Sequence, residues 1–434
     1  MTSIAAALRR IKDDSEHILD AHVVEQTALQ LQMQWRQREL DPVTTMRLYL
    51  LQVLHGNPAC AAVPHLADQS FTPSAYCQAR RRLPLDLFRQ VCGRLAAGLH
   101  QTTVDAALDR FLGHRVFLAD GSSCSMPDTA VLQESFGQPV AMKEGCGFPA
   151  AHLLVQFSAA SGLLLDMIVS PIATHDMSKV QRTHRHLERG DLLLADRGFC
   201  SFAHLALLME QGVHGLFRLH QRIKPGQGMC QIIKRLGAND HLVEWSKPKQ
   251  KPKWRSQQAW EKLPTQLRLR QVRFRVGRPG YRTQSVTIVT TLMDPTAYPA
   301  SELARLYGLR WTVEDHLRNL KVTLGMRVVR PKTVAGVLKE LCVFAMVYNL
   351  VRLVMIRSAQ KHGLDLSRVS FIDALRCLRH REELNPLPRL FCQPWRPGRV
   401  QPRVIKRRQN AYRIMTRPRA VLLAEILGET TIRA

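Results

Sequence analysis

The sequence predicts an α/β fold, in which a mixed-sheet core carries a β-rich insertion and is flanked by helical N- and C-terminal regions. Two short apolar runs, Val116–Ala119 and Leu192–Ala195, are typical of buried strands, and each is followed by an aspartate. The segments 152–158 and 163–170 are strand-like and are joined by a Gly-containing turn, which predicts a hairpin. Residues 301–321 repeat apolar side chains with the period of a helix.

Composition points to a globular protein with a polyanionic partner. The chain has 434 residues, of which 45% are hydrophobic, so it can bury a substantial core. Lys and Arg outnumber Asp and Glu by 62 to 35, giving a formal charge of +27. Nucleic acid is the leading partner on this ground, and a basic ribosomal-type or membrane-surface protein is the alternative.

The sequence also predicts where the protein works. No run reaches the roughly 18 apolar residues of a spanning helix, and the longest, Leu341–Tyr348, is followed by Asn349 and Arg352, which suits a buried helix. We therefore expect no membrane partner. The start of the chain lacks the apolar stretch of a signal peptide, which predicts a cytoplasmic protein. The ten cysteines form no CxxC pair, which predicts free thiols in a reducing compartment.

Residues 1–105 are predicted to form a helical, DNA-binding domain. Asp41-Pro42 and Thr72-Pro73 are typical helix starts. The helix after Thr72 carries Arg80, Arg81 and Arg82, so these short helices are similar to a helix-turn-helix reader of DNA. A helical bundle with a solvated basic face explains the same pattern equally well.

Residues 106–350 are predicted to form the core, in the order strand, hairpin, helix, strand, helix, strand and a later helix. Asp120 and Asp196 follow the two buried strands, at the sheet edge where open α/β sheets place their sites. Asp128, Asp176 and Asp191 fall in turns or loops and Asp166 within the hairpin, so we expect all four to be structural. His175, His184 and His186 lack a nucleophile context and are given no catalytic role.

Residues 222–295 interrupt the core and are predicted to form a β-rich insertion. A Lys- and Pro-rich loop spans 246–255, with Trp245, Trp254 and Trp260 around it, and a strand with alternating arginines follows. Such a surface could hold a phosphate backbone and stack bases. Tryptophans that simply pack inside the insertion are the alternative.

The helix around Glu314 is predicted to begin near Ser301 as N-cap and to run to Lys321. Its apolar stripe is bordered by Tyr307, Arg310, Glu314 and Lys321, which fall within roughly 60° of one another on a helical wheel. One carboxylate is thus flanked by two cations and a phenol. Plain i,i+4 ion pairing on a solvated flank is the alternative.

Residues 351–434 are predicted to form a C-terminal region for dimerisation or additional DNA contact. It includes the end of a long apolar helix (335–358), a short helix near 371–381, a basic stretch through Arg396 and Lys406, and a closing helix at 420–427.

The carboxylates suit metal-dependent cleavage of phosphodiesters. Two divalent ions can clamp the attacking and leaving oxygens, and Mg²⁺ prefers hard oxygen ligands. Asp120, Asp196 and Glu314 would supply such ligands, while Arg310 and Lys321 could offset charge or grip a phosphate.

The spacing Tyr307-x2-Arg310-x3-Glu314-x6-Lys321 resembles the Tyr-Arg-Glu-Lys signature of the insertion-sequence four family of DDE transposases. Leu118-Ala-Asp120-Gly is similar to the family's first aspartate motif, and Asp196-Arg-Gly-Phe199 is similar to its second. The resemblance covers about residues 110–350.

This resemblance implies a ribonuclease H-like core and a bacterial, nucleoid-associated transposase that cuts and pastes DNA, often through a hairpin on the transposon end. It implies Asp120, Asp196 and Glu314 as the catalytic, metal-binding triad, served by Mg²⁺ with Mn²⁺ as a substitute. Tyr307, Arg310 and Lys321 would contact terminal phosphates, with Trp311 near the DNA. The partners would be transposon-end and target double-stranded DNA within a synaptic homodimer.

Trp254, between Lys253 and Arg255, is the tryptophan that we expect to stack on a base extruded at such a hairpin. The alternative functions are a structure-specific nuclease of the same fold and a non-catalytic DNA-binding regulator derived from a transposase.

Overall fold

The computed structural model describes residues 21–36, 38–67, 70–103, 110–220, 223, 226–275, 285–380, 387–394 and 417–427. The basic C-terminal stretch around Arg396 and Lys406 lies outside these ranges.

The strands of the core follow the predicted order. The α-helices are α1 (Ala21–Gln30), α2 (Pro42–Leu54), α3 (Pro73–Arg82), α4 (Leu85–Thr103), α5 (Ala130–Phe136), α6 (Val180–Thr183), α7 (Phe202–Glu210), α8 (Gln257–Glu261), α9 (Ala300–Gly308), α10 (Thr312–Arg318), α11 (Val334–His362), α12 (Phe371–His380) and α13 (Arg419–Leu427). The strands are β1 (Arg110–Phe111), β2 (His114–Ser125), β3 (Ala150–Ser158), β4 (Leu164–Pro171), β5 (Leu192–Ala195), β6 (His214–Arg218), β7 (Cys230–Gly237), β8 (Asp240–Ser246), β9 (Gln266–Arg275) and β10 (Ser285–Thr290).

All of these strands form one ten-stranded mixed sheet in the order β4-β3-β2-β5-β6-β10-β9-β8-β7, with β1 paired to β2. The three strands β2, β5 and β6 at its centre run parallel, and the other pairs are antiparallel. The strands within 222–295 therefore extend the central sheet through β10 and β6. Their side chains, such as Leu269 and Ile288, belong to the same hydrophobic core as those of β2 and β5.

The N-terminal helices share this core as well. The side chains of Asp41 and Thr72 accept hydrogen bonds from Thr44 N (2.6 Å) and Ala75 N (3.1 Å), which caps α2 and α3 as the sequence predicts. Helices α2 and α4 pack on α11, and their apolar side chains join the core of the sheet.

Helix α11 packs against α2, α4 and α12 and against strand β4 of the sheet. Among the described residues it is the helix long and apolar enough to cross a membrane, and 72% of its most apolar window is buried inside the protein. Its polar side chains bind the turn of the β3–β4 hairpin. Asn349 donates to Leu164 O and accepts from Leu164 N, both at 2.8 Å, and Arg352 donates to Ser161 O at 3.0 Å. These bonds explain why Asn349 and Arg352 interrupt an apolar run.

Three local expectations are wrong. Strand β2 does not end at Asp120 but continues to Ser125, because β3 pairs with it over its whole second half. The helix that the sequence predicts between the hairpin and β5, over residues 178–189, is instead divided into short turns around α6. The helix of Glu314 begins at Ala300, with Pro299 at the cap position, and it is broken into α9, a 3₁₀ turn (Leu309–Trp311), α10 and a π-helical turn (Asn319–Thr323).

Candidate active site

The two aspartates are placed by neighbouring parallel strands. Ala119 of β2 pairs with Ala195 of β5, so Asp120 and Asp196 occupy equivalent positions on adjacent strands. Each carboxylate accepts a hydrogen bond from a nearby backbone amide, Gly121 N to Asp120 (2.8 Å) and Gly198 N to Asp196 (2.7 Å). The register of β2 and β5 thus brings the two predicted aspartates together.

This arrangement disfavours ionisation of the Asp120 carboxyl. Burial, followed by the negative charge of Asp196, raises the pKa of the Asp120 carboxyl to about 6, although the Gly121 amide and Arg310 oppose the shift. Two carboxylates that repel in this way are stabilised by a cation between them.

Glu314 and Arg310 lie on the broken helix beside this pair. Arg310 Nη2 donates to Glu314 Oε1 at 2.9 Å, and its Nη1 lies 4.0 Å from Asp120 Oδ2. The side chain of Glu314 is 63% exposed. Within the described ranges, no three His, Cys, Asp or Glu side chains stand close enough to hold a metal ion. The structure therefore brings Glu314 to Arg310 rather than into contact with both aspartates.

The other signature residues line the same helix. Tyr307 is buried, and burial raises the pKa of its hydroxyl above the ordinary range. Its ring meets that of Trp311 edge-on, with 6.0 Å between centroids, and the Arg310 guanidinium lies 5.6 Å from the Trp311 ring. Lys321 lies in the π-helical turn, and its Nζ donates to Ser122 Oγ at 2.9 Å. The π-helical turn thus directs Lys321 onto β2, two residues beyond Asp120.

Sequence reasoning missed Arg218 at this edge. Phe217 of β6 pairs with Ala195, so Arg218 follows at the level of Asp196, and its charge acts on the Tyr307 hydroxyl. Asp176, which we expected to be structural, lies against the backbone of Gly121. The sequence pattern that identified Asp120 and Asp196, a polar residue directly after a short apolar strand, also applies to Arg218.

The tryptophans of the insertion divide into two kinds. Trp245 and Trp260 are buried, and the Trp260 ring packs edge-on against Phe202 at 6.1 Å. Trp254 is half-buried at the edge of the core, with the Arg255 guanidinium 5.8 Å from its ring centroid. Internal packing therefore explains Trp245 and Trp260, and Trp254 keeps an accessible face.

Two of the predicted basic surfaces need correction. Arg80 points inward, with its guanidinium 3.5 Å from the centroid of the Tyr49 ring and a 2.9 Å hydrogen bond to Gln52 Oε1. It is thus a packing residue between α3 and its neighbours, whereas Arg81 is exposed.

The arginines of β9 also differ in their exposure to solvent. Arg270 is buried and donates to Asp240 Oδ1 at 2.8 Å, while Arg268, Arg273 and Arg275 remain exposed. The basic face of this strand is therefore narrower than its sequence suggests.

Comparison with known proteins identifies the class of this site. The model of the family described as "Transposase DDE domain" matches residues 112–350, more than half of the chain, and the chain belongs to this family. It is a DNA transposase, an enzyme of metal-dependent DNA cleavage and strand transfer.

One relative assigns the chain more narrowly within the DDE transposases. "Transposase InsG for insertion sequence element IS4" from Escherichia coli (strain K12) is 27% identical over 360 residues, which cover 78% of each chain. This confirms the insertion-sequence four family. A solved piggyBac transposase synaptic complex with hairpin DNA aligns over 87% of this chain and 80% of that chain, with a TM-score of 0.41 and 8% identity.

Proposed function

We propose that Asp120, Asp196 and Glu314 form the metal-binding triad of a ribonuclease H-like active site that nicks transposon ends and transfers them to target DNA. The observation that carries this proposal is the register of β2 and β5, which sets the two aspartates side by side. Glu314, four residues after Arg310 on the adjoining helix, supplies the third carboxylate.

The donor set fits a hard divalent ion, and we infer Mg²⁺, with Mn²⁺ as substitute. All three side chains offer carboxylate oxygens, which Mg²⁺ prefers. Burial raises the pKa of Asp120 and the nearby carboxylate of Asp196 adds to the shift, so a bound cation would stabilise the ionised form of Asp120. When bound, such ions activate the attacking hydroxyl and stabilise charge on the phosphate oxygens.

The cationic side chains would position the phosphate. Arg310 lies between Asp120 and Glu314, so it can exchange its contact with Glu314 for one with a phosphate oxygen. Lys321, from the π-helical turn, and Arg218, level with Asp196, flank the same edge. The buried Tyr307 packs edge-on against Trp311, and Arg310 lies over the ring of Trp311.

Double-stranded DNA at the transposon ends and at the target is the proposed substrate, held in a synaptic homodimer. The charge of +27 supports a long contact with DNA. Apolar side chains remain exposed in the C-terminal region, where a second copy could cover them: Ile372, Phe391, Leu423, Ile426 and Leu427.

Strand cleavage of a labelled transposon end tests the triad. Asp120→Asn, Asp196→Asn and Glu314→Gln should each lower Mg²⁺-dependent nicking on the order of a thousandfold or more while sparing DNA binding. Asp315→Asn is the matched control, because Asp315 adjoins Glu314 but is exposed and paired with Arg318 at 2.9 Å. Wild-type nicking by any one triad variant would remove that residue from the site.

A further inference from the structure

The 3₁₀ turn Arg197–Phe199, which follows the second aspartate, is exposed on one side and buried on the other. Arg197 and Gly198 are exposed, whereas Phe199 is buried. The amide of Gly198 donates to Asp196 Oδ1 at 2.7 Å, so this turn orients the carboxylate of Asp196. An exposed hydrogen bond holds little on its own, because water competes for both partners. The direction of the carboxylate therefore depends on what holds Phe199 in place.

His204 holds this turn from the buried side. It lies in the first turn of α7, none of its surface is exposed, and its Nδ1 lies 2.8 Å from Phe199 O. A carbonyl oxygen can only accept a hydrogen bond, so the Nδ1 atom of His204 carries the proton and donates it. The turn after Asp196 is thus tied to the start of helix α7 by a side chain that water does not reach.

A second buried histidine donates to the first. His184, in the turn His184–His186 after α6, is almost completely buried. Its Nε2 lies 3.0 Å from His204 Nε2, and the two ring planes differ by 12°. Burial, followed by the charge of His184, lowers the pKa of His204 to about 3, and burial lowers the pKa of His184 to about 4. Both rings are therefore neutral near pH 7. Because the one ring proton of His204 is on Nδ1, its Nε2 accepts and His184 Nε2 donates.

We propose that His184 and His204 are positioning residues of the active site, which hold the turn after Asp196 so that its carboxylate is directed to the bound metal ion. His184 keeps the proton of His204 on Nδ1, because its own proton occupies Nε2. His204 then holds Phe199 O, and the turn presents Gly198 N to Asp196. The inference rests on the proposed role of Asp196 in metal binding.

The competing explanation is that the two histidines only fill the core, since the His204 ring also packs against Phe217 with 5.1 Å between centroids. Two substitutions separate the explanations. His204→Asn places an amide nitrogen where Nδ1 lies in histidine, so it can still donate to Phe199 O. His204→Gln is closer to histidine in volume, but its amide lies near the position of Nε2, and the bond to Phe199 O is lost. Packing favours His204→Gln, whereas positioning favours His204→Asn.

Titration of the full-length, metal-free protein with Mn²⁺, followed by the electron paramagnetic resonance signal of free Mn²⁺, tests the proposal without catalysis. We expect His204→Gln to raise the dissociation constant about tenfold, as for loss of a group that orients a metal ligand, and His204→Asn to remain near the wild-type value. His241→Gln is the matched control, because His241 Nδ1 also bonds a backbone carbonyl, Asp240 O at 2.6 Å, but on β8. This control should bind Mn²⁺ like the wild type.

Thermal unfolding of the same variants in a metal chelator separates ligand position from stability. A defect of packing lowers the melting temperature and the Mn²⁺ affinity together. We expect instead that His204→Asn, with its smaller side chain, melts no higher than His204→Gln and yet binds Mn²⁺ more tightly. His184→Gln keeps a donor near the position of Nε2 and should bind like the wild type, whereas His184→Leu should weaken binding.

A measurement on the unmutated protein checks the hydrogen bonds without relying on the folding of any one variant. Nuclear magnetic resonance of the protein with ¹⁵N-labelled histidine reports which ring nitrogen carries the proton. We expect His204 to be neutral near pH 7 and protonated on Nδ1, with its signals assigned by their loss in a His204 variant. A proton on His204 Nε2 would overturn the inference, because Phe199 O would then have no donor in this ring.

Equal Mn²⁺ affinity in His204→Asn and His204→Gln, or tighter binding by His204→Gln, would overturn the inference in favour of packing. If both variants bind like the wild type while Asp196→Asn loses affinity, the inference fails and the proposed function stands. Unchanged affinity in Asp196→Asn would contradict both proposals.

Discussion

The aspartates on the sheet and the glutamate on the helix are held in different ways. Asp120 and Asp196 are fixed by backbone pairing between β2 and β5, and each has an amide donor within 2.8 Å. Glu314 lies on a helix that changes from α to 3₁₀ to α to π within 24 residues, from 300 to 323, and its exposed carboxylate contacts Arg310.

This difference divides the site into a sheet half, Asp120 and Asp196, and a helix half, Glu314, and it indicates which half has its final geometry before substrate binds. Backbone hydrogen bonds between strands leave little freedom, so the aspartates are preorganised at a cost in charge repulsion. Glu314 must exchange Arg310 for metal, which a π-helical turn can accommodate through small changes in helix register. We expect the two halves to respond differently to mutation, pH and DNA.

The largest expected effect is that of salt on DNA affinity, and it should be the same in variants of the aspartates and of Glu314. We expect DNA affinity to fall about a thousandfold or more between 50 and 200 mM salt if six or more phosphates are contacted. Asp196→Asn and Glu314→Gln should show the wild-type slope in a filter-binding series, because neither carboxylate belongs to the basic surface. A slope that is nearly flat would place DNA binding elsewhere than on that surface.

Arg310 connects the halves, so its removal should damage catalysis more than stability. We expect Arg310→Ala to slow single-turnover nicking by about a hundredfold or more, as for loss of a charged group at the reacting phosphate. Arg318→Ala is the matched control, since Arg318 pairs only with exposed Asp315 in the described structure. Equal nicking rates for the two variants would show that Arg310 is merely a surface ion-pair partner.

The free energy of unfolding should respond to mutation of the aspartates but not to mutation of Glu314. The Asp120 carboxyl ionises near pH 6 in the folded chain and near pH 4 when unfolded, so its ionisation destabilises the metal-free fold as pH rises through this window. Asp120→Asn should therefore stabilise the metal-free protein by about 1–3 kcal/mol above pH 6, and the gain should vanish below about pH 4.

Glu314→Gln is the comparison for that experiment, because its exposed side chain should leave the melting temperature nearly unchanged. Thermal unfolding of both variants in a metal chelator at pH 8 and pH 4 measures the difference. A destabilised Asp120→Asn at pH 8 would contradict the view that ionisation of the buried Asp120 carboxyl destabilises the metal-free fold.

The smallest expected effect concerns Trp254. Its half-buried ring next to Arg255 could stack on a base extruded at a DNA hairpin. Trp254→Ala should then spare the first nick and slow hairpin formation several-fold, about the loss of one stacking contact of 1–3 kcal/mol. Trp254→Phe should retain most of the rate. A denaturing-gel time course in which nicking and hairpin formation slow equally would indicate a folding defect or a plain binding role.

The sequence predicted the sheet-borne half of the site well, because a short apolar run followed by an aspartate depends on burial alone. No disulfide joins any of the ten cysteines, all of which lie in the described ranges. The sequence did not predict the breaks in the Glu314 helix, because these depend on contacts such as Lys321 with Ser122, 199 residues away.

Long-range partners explain the other misses. Arg80 looked like a DNA contact because its partners lie on another helix. These are the Tyr49 ring, which its guanidinium covers, and Gln52, to which it donates. Arg270 looked like part of a basic strand face because Asp240, to which it donates, lies on another strand. By contrast Asp128 was predicted to be structural and pairs with Arg419.

A change of metal specificity tests most directly whether the preorganised aspartates bind the catalytic ions. In Asp196→Cys a thiolate replaces a hard oxygen ligand, and thiolates favour softer ions than Mg²⁺. We predict that this variant loses nicking in Mg²⁺ and recovers a substantial part of it in Mn²⁺, whereas Asp315→Cys nicks in both ions like the wild type. Full nicking by Asp196→Cys in Mg²⁺ would contradict the assignment of Asp196 as a metal ligand.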